Sequence, residues 1–279
     1  MNPVVPMCPD VLCIILEYTK HSQIYHAAGF GNLRCMKLLC KYDEDWNRDL
    51  VCQFAAAAGH LACLRYAHEH GCPLNILTCI CAATNGHLDC LKYAHEHGCP
   101  WDEGVCVNAA SHGRLDCLRY LHENGCPWDI WTCVYAALNG QLDCLRYAHE
   151  NGCPWNMFAC VYAAQNGNLE CLRYLHENGC PWDKETCRRA AASGHFDCLK
   201  YAHEHGCPWD KGVCEDAASN GRLDCLKYAR EQGCPWDKET CCQAAANGHL
   251  DCFRYAHENG CPCDEKTWTW YLHVIEKTK

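Results

Sequence analysis

Residues 101–127 read WDEGVCVNAASHGRLDCLRYLHENGCP, and this stretch returns along the chain with few changes. Its closing Gly-Cys-Pro begins at Gly71, Gly98, Gly125, Gly152, Gly179, Gly206, Gly233 and Gly260, always 27 residues apart. Chance does not produce eight such copies. A period of this length marks an array of small units that bury their faces against one another.

Each copy holds two helical stretches and two stops. Asp102 is a suitable N-cap, because its carboxylate can accept from the unpaired amides of a first turn. The helix it opens is predicted to run towards Gly113, a suitable stop. A second helix is predicted from Leu115 to Glu123, closed by Asn124-Gly125 and by Pro127, whose ring cannot continue it. Helices of roughly nine or ten residues do not persist alone in water, so stacking must hold them. Cys106, Ala109 and Ala110 form a stripe of small residues that lets neighbouring first helices approach. The second helix is apolar nearly all round through Leu115, Cys117, Leu118, Tyr120 and Leu121, which leaves Asp116, Arg119 and Glu123 for solvent.

Residues Ala82 to Tyr93 read AATNGHLDCLKY, which resembles the AAxxGHLEVVKL core of ankyrin repeats. Thr78 falls at the threonine of the ankyrin TPLH motif, and Gly98-Cys99 falls at the ankyrin Gly-Ala. The resemblance covers residues from about 21 to 263 and implies an all-α, ankyrin-like α-solenoid of about nine stacked helix pairs. Ankyrin units have about 33 residues, and the residues missing here fall at the β-hairpin fingers, so the fingers are expected to be absent. Shortened, cysteine-rich units of this kind are similar to the ankyrin arrays of giant DNA viruses and some protists. The first pair is degenerate, with Glu44 where the Gly-Cys cysteine belongs.

Arrays need atypical ends to cover their cores. Residues 264–279 start a further helix at Asp264, break pattern at Trp268 and Trp270, and are expected to form the C-terminal cap. Residues 1–20 are expected to form the N-terminal cap, with Leu12, Ile15 and Leu16 against the first pair. A second reading exists for this segment. Residues 9–18, PDVLCIILEY, resemble with a one-residue gap the opening of an F-box, which implies a substrate-recognition adaptor of a ubiquitin ligase.

A net charge of −10, with lysine and arginine spread evenly, argues against nucleic acid as a partner. The apolar run from Val11 to Leu16 is too short for a signal segment or a membrane span. The 31 cysteines are odd in number and recur at fixed helical phases, unlike a disulfide framework, and are expected to be reduced. A cytoplasmic monomer is expected, in the host cytoplasm if the chain is viral.

What recurs in a repeat is structural, and what varies can recognise. Number the first helix from the residue after the Trp-Asp aspartate. Variation then falls at positions 1, 2, 5, 6 and 9, opposite the buried 4, 7 and 8. The resemblance makes this the face where ankyrin arrays bind protein partners. The fifth and sixth repeats fill it with Ile130, Trp131, Tyr135, Leu138, Met157, Phe158 and Tyr162, and the seventh adds Arg188 and Arg189. An apolar, aromatic centre with a charged border is how a protein interface is composed. The competing expectation is that these side chains pack laterally between repeats, as Val134 and Val161 suit a core. Trp131 and Phe158 fit that expectation less well, because Gly104, Glu185, Gly212 and Glu239 fill the same position elsewhere.

A zinc-stapled array is a third expectation. His122, Cys126 and Cys133 are zinc-ligand types at convergent spacing, with Cys117 poorly placed as a fourth. Buried cysteine also packs as a small hydrophobe, which is the stronger expectation, with no cofactor. No enzyme is expected: every Cys-His pairing is a copy of its neighbours, and no phosphate loop is present. The residue after the first glycine, His60, His87, His195 or His249 but Arg114, Gln141 or Asn168 elsewhere, reads as a surface polar position.

Overall fold

The computed structural model describes residues 23–42, 48–269 and 271. Residues 1–20 with their F-box-like stretch, Glu44 and Trp270 lie outside the described residues. The chain divides into two compact bodies, one ending at Trp128 and the other beginning at Asp129.

The first body contains four helix pairs: α1 (Gln23–Gly29) and α2 (Leu33–Tyr42), α3 (Arg48–Ala57) and α4 (Leu61–Glu69), α5 (Ile76–Asn85) and α6 (Leu88–Glu96), α7 (Glu103–Ser111) and α8 (Leu115–Glu123). The second contains five: α9 (Ile130–Leu138) and α10 (Leu142–Glu150), α11 (Met157–Gln165) and α12 (Leu169–Glu177), α13 (Lys184–Ser193) and α14 (Phe196–Glu204), α15 (Gly212–Ser219) and α16 (Leu223–Glu231), α17 (Lys238–Ala246) and α18 (Leu250–Glu258). Residues 265–269 are helical as well. No strand occurs among the described residues, and an extended Pro-Trp-Asp link stands where ankyrins place their fingers.

Local chemistry sets the helix starts. The N-cap oxygen of Asp102 accepts from the Gly104 amide at 2.9 Å, and Asp129, Asn156, Asp183 and Asp237 make the same bond in their repeats. Each such cap is worth about 1 kcal/mol against alanine. The Gly-Cys-Pro cysteine closes the hairpin from the other end. Cys126 Sγ donates to the Asp102 carbonyl at 3.3 Å, and Cys153 Sγ to that of Asp129 at 3.2 Å. Every described cysteine is free, and nearly all are buried.

Within each body, successive first helices approach one another more closely than successive second helices do. The cause is side-chain size. First helices meet through buried alanines such as Ala136, Ala137, Ala163 and Ala164, whereas second helices meet through leucine and tyrosine.

The residue after the first glycine corrects the expectation of a plain surface position. Its side chain reaches back to the carbonyls left unpaired at the end of the preceding first helix. His87 Nε2 lies 3.1 Å from the Ala57 carbonyl, Arg114 Nε donates to Thr84 at 3.0 Å, and Asn168 Nδ2 donates to Ala137 at 3.0 Å. Three residue types share a nitrogen at this reach and cap the helix of the repeat before, whereas Gln141 donates to the Asn139 carbonyl of its own turn at 3.1 Å. The covered glycine has no alternative. Gly167 has φ +74°, and a Cβ there would stand 2.5 Å from Nδ1 of His195.

Candidate protein-binding face

The second body carries the aromatic residues singled out above. On α9, Trp131 and Tyr135 sit at positions 2 and 6, one helical turn apart, with ring centroids at 6.0 Å. On α11, Phe158 and Tyr162 repeat the arrangement at 6.1 Å. The Trp131 and Phe158 rings lie parallel to within 10°, with centroids at 6.5 Å, which joins the two helices into one four-ring ladder. Trp131, Tyr135, Met157 and Phe158 remain 38–39% exposed, so lateral packing covers them only in part. Ile130, Leu138 and Tyr162 are half-buried at its margins.

Position 5 departs from the predicted stripe. Val134 and Val161 are buried, and Arg188 and Glu215 at the same position are half-buried. Position 5 follows the core cysteine of position 4, so it turns to the seam between adjacent first helices. The accessible face is therefore made by positions 1, 2 and 6, with 9 at its edge.

On α13 the same columns become charged. Glu185 takes Arg189 Nε at 2.8 Å and Arg188 Nη1 at 3.4 Å, while Arg188 Nε also crosses to Asp216 at 3.1 Å. Lys184 pairs with Asp210 and Lys211 with Asp237, each at 2.7 Å. Arg188 is half-buried in this network, and Arg189 is exposed.

Sequence reasoning missed a set on the first body. Phe54 on α3 and Leu77 on α5 occupy positions 6 and 2, and both are exposed, as is Phe30 just beyond α1. The available signal was position: they align with Tyr135 and Trp131, in repeats that depart from consensus elsewhere as well.

The zinc candidates answer to separate neighbours. The His122 ring lies flat on Trp128 with centroids at 4.0 Å, Cys126 Sγ donates to the Asp102 carbonyl, and Cys133 Sγ faces the Cys153 carbonyl at 3.9 Å. Among the described residues no three His, Cys, Asp or Glu side chains are grouped as metal ligands are. Burial pushes the Cys117 thiol up to about 11 and that of Cys171 up to about 12, away from the thiolate a ligand or nucleophile requires.

Comparison with known proteins agrees with this geometry. Family models described as ankyrin repeats match residues 52–95, 106–149 and 133–212, together more than half of the chain. The chain belongs to the ankyrin repeat family. Its repeats are thus of a kind that generally serves protein–protein interaction, in proteins that are typically non-enzymatic scaffolds. The crystal structure of the human ASB11 ankyrin repeat domain superposes on it with a TM-score of 0.51 at 20% identity, covering 58% of this chain and 85% of that one. That similarity concerns the fold. No curated protein matches the sequence. Among the described residues of this ankyrin repeat protein, no helix is long and apolar enough to cross a membrane.

Proposed function

We propose that the chain is a non-catalytic scaffold that binds a partner protein through the first-helix face of its fifth and sixth repeats. One observation carries this proposal: four aromatic rings, continuous from Tyr135 through Trp131 and Phe158 to Tyr162, stand on the outer face of helices whose inner face is complete. Aromatic side chains left in water on a rigid support are the usual anchors of an interface. Met157 adds a side chain that adapts to whatever it meets. Ile130 and Leu138 widen the apolar margin, and Arg188 and Arg189 form its charged border.

The test is purification of partners from the native cell with the intact chain and with a Trp131→Ala/Tyr135→Ala/Phe158→Ala variant. The variant should keep its helical content and a cooperative melt, since the buried alanine and cysteine stripe is untouched, and should lose its partners. Single alanine changes at Trp131 or Tyr135 should each weaken binding by about 2 kcal/mol. Partners retained in full by the triple variant would end this proposal.

A further inference from the structure

We infer that the segment bound by the aromatic ladder lays two large apolar side chains along it beside Tyr135 and Tyr162 and, one repeat farther along that column, presents a carboxylate to Arg189. This inference rests on the proposed binding face and adds the chemistry of its occupant.

Charge accounting at the border of the ladder supports it. Tyr135, Tyr162 and Arg189 occupy the same position in three successive repeats, so a segment lying along this column leaves the last aromatic ring and meets a guanidinium. The other cations on these helices have carboxylates reaching them from the next repeat. Lys184 has Asp210, Lys211 has Asp237, and Arg188 has Asp216. Arg189 differs. Its ion pair is with Glu185 on its own helix, and Glu185 also takes Arg188. The Arg189 side chain is 51% exposed. A guanidinium half exposed to solvent, with only a shared counter-charge, is a receptor for one further carboxylate.

The opposite partner chemistry fits poorly. A lysine or arginine following the apolar anchors would meet Arg188 and Arg189 together, and the carboxylate between them is already shared. The chain carries a net charge of −10, which does not attract acidic segments from a distance. Screening over about 8 Å leaves the choice to charges at the contact itself. The acidic requirement therefore acts as a local selection on segments the ladder already holds.

The experiment uses the full chain and a library of random dodecapeptides displayed on phage, counter-selected on a Trp131→Ala/Phe158→Ala variant. The strongest ladder-dependent peptide is remade with a fluorescent label and titrated against the chain and against Arg189→Gln and Lys200→Gln variants, at low and high salt. Ladder-dependent peptides should carry an aspartate or glutamate beyond their apolar pair. Arg189→Gln should weaken binding about tenfold and reduce its salt dependence, whereas Lys200→Gln, on the second helix of the same repeat, should leave binding unchanged. Changing the peptide acid to its amide should cost the same, with no further loss in the Arg189→Gln chain. Ladder-dependent peptides lacking an acid, or indifferent to Arg189→Gln, would overturn this inference and leave the binding face standing. No ladder-dependent peptide at all would overturn both.

Discussion

The Arg230 guanidinium lies over the Trp236 ring at 4.4 Å, in the slot where earlier repeats lay a histidine flat on the equivalent tryptophan. His149 stacks on Trp155 at 3.7 Å, His176 on Trp182 at 4.0 Å and His203 on Trp209 at 3.7 Å. The histidines also hold the tyrosine of the next repeat, with His176 Nδ1 at 3.0 Å from the Tyr201 hydroxyl. At the C-terminal end, where Cys263 replaces the usual tryptophan, Trp268 enters from the final helix and stacks on His257 at 4.1 Å. The slot accepts a flat, π-compatible group, charged or neutral.

His176→Arg should therefore unfold near the wild-type midpoint, because the cation–π contact replaces the ring stack. His176→Ala should lose about 1 kcal/mol or more, with the stack and the tyrosine bond both gone. Urea and thermal midpoints of the two variants decide. Equal losses would mean that the stack on tryptophan contributes nothing.

Burial holds His149, His176 and His203 below the usual imidazole range, and His176 is lowered further by His205 beside it. The unfolded chain takes up these protons near pH 6.5, before the folded chain does. The stability they contribute is thus present above about pH 6.5 and lost as pH falls below it through the lowered folded values. The melting point should drop between about pH 7 and pH 5, and a variant carrying arginine at all three positions should show a shallower drop. Identical slopes in the two proteins would remove these histidines from the account.

Helix boundaries, caps and core stripes were legible in the sequence because each is a local pattern copied many times. Asp102 capping Gly104 needs only neighbours in sequence to be inferred. What stayed hidden acts between repeats. His87, Arg114 and Asn168 look like surface noise in a single copy, yet each reaches back roughly one repeat to cap the previous helix. Position 5 deceived for the same reason. Whether Val134 faces solvent depends on the adjoining first helix and not on its own turn. On the candidate face, the aromatic type of Trp131 and Phe158 was readable, but their parallel alignment comes from the spacing of α9 and α11. Phe54 and Leu77 were legible only through their alignment with Tyr135 and Trp131 in the shared numbering, because their repeats depart from consensus elsewhere as well.

Gly167 and Gly179 separate two costs that a glycine change usually mixes. Both have positive φ, +74° and +79°, but a Cβ at Gly167 would meet His195 at 2.5 Å while one at Gly179 has nothing within 4 Å. Gly179→Ala should cost only the left-handed strain, about 1 kcal/mol. Gly167→Ala should cost clearly more, and the excess should shrink when His195 is also alanine. Chemical denaturation of the four proteins forms the cycle, and equal costs at the two glycines would show that the imidazole yields freely.

Thr132 is fully buried, and its hydroxyl has no hydrogen-bond partner; Thr78, Thr186 and Thr240 repeat this in every second repeat. A hydroxyl withdrawn from water without compensation costs about 1–3 kcal/mol. The chain already contains the remedy, since Val105 and Val213 occupy the equivalent position and are equally buried. Valine has nearly the shape of threonine, so Thr132→Val should raise stability by about 1 kcal/mol without disturbing the packing. Thr132→Ser supplies the contrast: it keeps the hydroxyl, removes a methyl group, and should destabilise. Because the four threonines share no partners, valine at all four should add the single gains. A lower denaturation midpoint for Thr132→Val would mean that the hydroxyl is satisfied in solution, as by a buried water, and that threonine at this position stabilises the stack.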